Sequence, residues 1–89
     1  MGQHVQPSLR ESLGVRLREL RTRSGIESQE KLANLAGVHR TYVGRLERGE
    51  TGVTVDMLAA VLAALSISLA EFFRPFNEVR RPKTPRKRD

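Results

Sequence analysis

Eighty-nine residues leave room for one domain. With 38% hydrophobic residues and only 4% aromatic ones, the core must be aliphatic, which suits a small helical bundle with little stability to spare. The absence of cysteine excludes disulfides and thiolate metal sites, and neither a membrane-length apolar run nor a signal segment is present, so a cytoplasmic chain is expected. The net charge of +6 is uneven: residues 1–73 hold nine Lys/Arg against eight Asp/Glu, and residues 74–89 hold seven against two. A basic-protein argument for nucleic-acid binding is therefore weak, and what counts is where the few charges of the body sit.

Residues 1–7 lack periodicity and contain Pro7, so they read as a flexible arm before a folded region over 8–76. Ser8 and Glu11 have capping-box spacing, and Leu9, Leu13, Leu17 and Leu20 follow on one face, predicting a first helix from about Ser8 to Arg23. Arg10, Arg16, Arg18, Arg21 and Arg23, with Glu11 and Glu19, are placed on its outer, solvated face. Gly25 ends the helix and Ile26 returns to the core. Ser28 is a good cap for a second helix over about Gln29–Ala36, and Glu30 in its first turn suits the helix dipole.

Gln29 to Gly49, QEKLANLAGVHRTYVGRLERG, is the most informative stretch. Leu32, Leu35 and Ala36 form an apolar face, Ala33 is small enough for a close helix crossing, and Gly37 can take the left-handed turn conformation. Val38 plugs the turn, and Val43 and Leu46 anchor a third helix over about Arg40–Arg48, with His39 at its cap and Gly49 at its end. Together these residues make a helix-turn-helix pattern.

Thr54 caps a fourth helix from about Val55 to Leu65, apolar on nearly every side and so expected at the centre of a bundle. Ser68 and Glu71 open a short fifth helix ending near Phe73, and Pro75 stops it. Five large apolar residues follow the fourth helix: Ile67, Leu69, Phe72, Phe73 and Phe76. The small core is expected to bury Ile67, Leu69 and Phe72, leaving a patch that two copies could cover. Phe72, Phe73 and Phe76 are the candidate homodimer interface. Residues 77–89 are charged and broken by proline, a basic disordered tail that would add nonspecific DNA affinity.

The runs LGVRLRELRTRSG, SQEKLANLAGVHRTYVGRLERGE and TVDMLAAVLAALSISLAEFF resemble the all-α, five-helix DNA-binding domain of phage repressors and xenobiotic-response-element regulators, over about Leu13 to Phe73. The run RTYVGRLERGE before a capped apolar helix is similar to controller proteins of restriction–modification systems. Three features depart from the pattern: Glu27 reads as an insertion that could shift the Gln29 contact, Gly52-Val53 stands where the family often has proline, and Gly44 interrupts the third helix. Gly44 is either a tolerated defect or a device for close approach to DNA.

The resemblance implies that the second helix spans the phosphate backbone and the third lies in the major groove of double-stranded DNA. His39, Arg40, Thr41, Gly44 and Arg45 are then the candidates for base readout, since Arg can bond guanine bidentately and the Thr methyl can meet a thymine methyl. Gln29, Tyr42, Arg48 and Thr51 are the phosphate candidates, and His39 has the competing role of a plain cap. The family register pairs Arg21 with Glu47 as a shielded structural ion pair. The implied function is a sequence-specific, dimeric transcriptional regulator on a palindromic operator, needing no cofactor or metal. The competing reading is an antitoxin-like interaction module that holds a protein partner through Leu69, Phe72, Phe73 and Phe76. An enzyme is not expected: His4 and His39 lack partners at metal spacing, no catalytic triad or carboxylate pair converges, and the Gly49–Gly52 loop lacks the lysine of a phosphate-cradling loop.

Overall fold

The computed structural model describes residues 8–76; the expected arm over 1–7 and tail over 77–89 lie outside the described residues. The described chain is all-α: α1 (Leu9–Arg23), α2 (Gln29–Ala36), α3 (Arg40–Glu47), α4 (Val55–Ala64) and α5 (Leu69–Phe73), followed by one 3₁₀ turn over Arg74–Phe76. Local chemistry sets the helix starts. Ser8 and Glu11 form a reciprocal capping box at α1, and the hydroxyls of Ser28, Thr54 and Ser68 each accept the amide three residues on. Among the described residues, no single helix is long and apolar enough to cross a membrane.

The helix ends repeat one device. After α1, Ile26 donates its amide to the Arg21 carbonyl and Gly25 to that of Thr22, with Gly25 left-handed. After α3, Glu50 donates to Arg45 and Gly49 to Leu46 in the same way. After α4, Ile67 donates to Leu62 and Ser66 to Ala63, but the left-handed position is filled by Ser66, at φ 58°. Helix α2 ends on left-handed Gly37, and Val38 follows, half-buried against the core.

The core is aliphatic, as the composition requires: Leu17, Leu20, Ile26, Leu32, Ala33, Val43, Leu46, Leu58, Val61, Leu62 and Leu65 close around a single buried ring, Phe72. Helix α1 approaches α3 backbone to backbone. A Cβ on Gly14 would stand 2.5 Å from the carbonyl oxygens of both Leu46 and Glu47, so only glycine allows this crossing.

Several expectations need correction. Leu9 and Leu35 sit on predicted apolar faces but are exposed; the loop after α3 reaches the first turn of α1 at Arg10 and Glu11. Arg16 belongs to the interior: its Nε donates to the Phe72 carbonyl at 2.9 Å and its Nη2 to that of Glu71 at 2.7 Å. A guanidinium that satisfies two carbonyls can be buried where an unpaired one could not. Helix α4 is not central. Leu58, Val61 and Leu62 face inward, while Val55, Ala59 and Ala63 form an outward stripe at intervals of four. Leu69, expected in the core, is exposed on α5. Phe72, placed among the interface rings, is wholly enclosed by its own core and has no surface to offer a partner.

Candidate nucleic-acid interface

Helix α3 is held from one side. Val43 and Leu46 are in the core, and Glu47 is buried with its carboxylate turned inward. Arg21 clasps that carboxylate with Nε at 2.6 Å and Nη2 at 3.1 Å, and its Nη1 donates to the Ile26 carbonyl at 3.0 Å. Gln29, at the start of α2, adds its Nε2 to Glu47 Oε1 at 2.9 Å. The ion pair that the family register implies is therefore present, and it reaches a third residue. Two charges removed from water are tolerated because both have complementary bonds, and the network ties α1, α2 and α3 at one point.

With that side anchored, Arg40, Thr41 and Arg45 are exposed on the opposite arc of α3. His39 caps the helix: its Nδ1 accepts the Thr41 amide at 3.2 Å, while the ring remains exposed. This bond supports the capping role. Arg40 Nη1 lies 3.5 Å from Glu30 Oε1, an exposed pair across the turn. Tyr42 is half-buried against the core, and burial raises its phenol above the usual value, so it is a neutral hydroxyl donor at physiological pH. Thr51 is half-buried in the loop after α3. Glu27 is exposed in the loop before α2, and α2 starts at Gln29 as expected.

Two predicted site residues have a different setting from the one expected. One N–H of the Gln29 side-chain amide, expected to meet a phosphate, is given to Glu47, which leaves its second N–H as a donor. Gly44, taken as a point of close approach to bases, is buried. A Cβ there would stand 3.0 Å from Gln29 Oε1 and 3.1 Å from Arg48 Nη1. The gap left by glycine is filled by these two side chains, which is a packing reason for its place in mid-helix. Arg48 comes from one turn further along the same helix, but Gln29 arrives from α2, so no local pattern signals the pair.

A helix-turn-helix domain family matches residues 12–72 of the chain. The control protein C.SmaI of Serratia marcescens is 39% identical over 61 residues, covering 68% of this chain and 71% of that protein. Among solved structures, the clp gene regulator ClgR of Corynebacterium glutamicum is 36% identical with a TM-score of 0.75, covering 81% of this chain and 91% of that one. The restriction-modification controller protein C.AhdI of Aeromonas hydrophila is 45% identical with a TM-score of 0.68, covering 72% and 96%. These relatives are regulators rather than enzymes, and with an exposed arginine-bearing helix set on an anchored turn, the chain belongs to the helix-turn-helix family of DNA-binding transcriptional regulators.

Proposed function

We propose that two copies of this protein bind a palindromic operator, each laying α3 in the major groove of one half-site. Arg40, Thr41 and Arg45 read base edges, with His39 beside them. The observation that carries this reading is the division of α3: Val43, Leu46 and Glu47 are fixed inside, while Arg40, Thr41 and Arg45 are exposed outside. The start of α2 takes a phosphate through its first backbone amides, with the remaining Gln29 side-chain N–H beside them, helped by the helix dipole. Tyr42 on α3, and Arg48 and Thr51 just after it, are further phosphate partners.

The dimer reading rests on apolar surface that is exposed among the described residues. Leu69 and Phe73 lie one turn apart on α5 and are both exposed, and Val55, Ala59 and Ala63 line the outside of α4. Phe76 is half-covered, packed on the Phe72 and Phe73 rings with centroids 6.2 and 5.6 Å away. Burying each phenylalanine contributes about 2 kcal/mol, a modest affinity suited to a regulator whose concentration is its control variable. A two-fold dimer matches half-sites roughly 34 Å apart.

Selection from random duplexes tests the reading. A palindromic consensus with that half-site spacing is expected, together with a sedimenting dimer that Phe73→Asp converts to monomer. A monomer with no selected site would overturn it. A dimer indifferent to Phe73→Asp would move the interface off α5, and stable capture of a different protein in place of a second copy would favour the antitoxin-like reading.

A further inference from the structure

Arg48 is not presented to solvent as a free cation. Its Nε donates to Glu50 Oε2 at 2.8 Å and its Nη2 to Glu50 Oε1 at 3.3 Å. Its Nη1 lies back over α3, 3.1 Å from where a Cβ on Gly44 would stand. The Arg45 Nε is 4.0 Å from the same Glu50 Oε1. Glu50 follows left-handed Gly49, and its amide is fixed to the Arg45 carbonyl at 2.9 Å, so the turn itself aims the carboxylate back at the helix.

The arrangement has little value to the fold. Both side chains of the clasp are about half exposed, and exposed pairs contribute little stability. Each nonetheless favours the charged form of the other: Arg48 holds the Glu50 carboxyl below the usual carboxylate range, and Glu50 raises Arg48. A carboxylate beside a surface meant for phosphates is an opposing charge, and here it occupies one of the cations that the surface needs.

Resting on the DNA reading of α3, we propose that Glu50 is an autoinhibitory contact on the DNA-binding surface, competing with backbone phosphate for Arg48. In the free protein Arg48 is folded into the Gly44 gap under Glu50. On a duplex, a phosphate oxygen replaces the carboxylate as its acceptor, and Glu50 is left facing solvent. Glu50 thereby lowers the affinity for DNA of any sequence, and Gly44 supplies the space in which the arginine is held.

The test is fluorescence anisotropy of the full chain on a random-sequence duplex across a potassium chloride series. The proteins are wild type, Glu50→Gln, Arg48→Ala and the double variant, each first checked for an unchanged melting temperature. Glu50→Gln is expected to bind about fivefold tighter, the order of an exposed ion pair, with a log–log salt slope steeper by roughly one phosphate contact. In the Arg48→Ala background the gain should fall to less than half. An unchanged affinity and slope for Glu50→Gln, or a gain that keeps more than half its size without Arg48, would overturn the proposal. Arg45→Ala separates the two levels. If it weakens binding while Glu50→Gln does nothing, only the autoinhibitory contact falls; if no α3 arginine matters on any duplex, the DNA reading of α3 falls too.

Discussion

Arg16 Nε donates to the main-chain carbonyl of Phe72 at 2.9 Å, across 56 positions of sequence. Its Nη2 takes the neighbouring Glu71 carbonyl, so one side chain of α1 holds the end of α5. Arg16→Met keeps much of the apolar stem but leaves both carbonyls without this donor. A loss of roughly 2–3 kcal/mol is expected, since each bond to a charged donor is worth more than a neutral one. Urea denaturation measures it. The proposed dimer should weaken in parallel, because Leu69 and Phe73 ride on the same short helix; unchanged stability would mean that α5 docks without the arginine.

Removing one member of the Arg21–Glu47 pair leaves the other charged and buried. Glu47→Ala is expected to cost about 3–5 kcal/mol, enough to threaten folding in a domain of this size. The double variant Arg21→Met/Glu47→Leu should recover much of that loss, because no isolated charge remains. Thermal melts of the two variants decide the matter: equal losses would show that the pair is no deeper energetically than a surface contact.

Ser66 occupies the left-handed position that ends α4, where residues with a Cβ are strained. Its side chain is exposed, so replacing it removes no core contact. Ser66→Gly should stabilise the protein by about 1 kcal/mol, less the greater freedom of glycine in the unfolded chain. A melting temperature lower than that of the wild type would contradict this assignment of strain.

Operator affinity should fall steeply with salt, on the order of 10³-fold between 50 and 200 mM, if several phosphates are neutralised. Arg40→Ala should relax selection at one base pair per half-site by about 1–3 kcal/mol. Thr51→Val should weaken all sequences alike, as loss of a phosphate contact would. If Arg40→Ala returned the wild-type consensus in a selection experiment, α3 would be oriented differently in the groove.

The parts of this fold that were legible in the sequence are those decided within one turn of chain. Ser8, Ser28, Thr54 and Ser68 mark helix starts because a hydroxyl needs only the amide three residues on. The exposure of Arg40, Thr41 and Arg45 follows from the spacing of Val43 and Leu46. What sequence reasoning missed depends on a distant element. Periodicity places Leu9 and Leu35 on apolar faces without knowing that both stay exposed, and it places Arg16 outside without knowing that α5 ends above it. The Gln29 amide belongs to the same class, since its partner Glu47 lies 18 positions away. Helix period reports which residues share a face; it does not report how far the neighbouring elements extend over that face.

Gly14 has a consequence for how such a protein could be given a new target. The joint between α1 and α3 is main chain against main chain, and its angle is not set by the bulk of any exchangeable residue. Positions 40, 41 and 45 contribute nothing to that joint and lie outside the core. On the proposed reading of α3, the scaffold therefore behaves as a fixed typeface holder: the characters on the outer arc can be reset by libraries at three positions, and the angle at which they meet the groove stays the same.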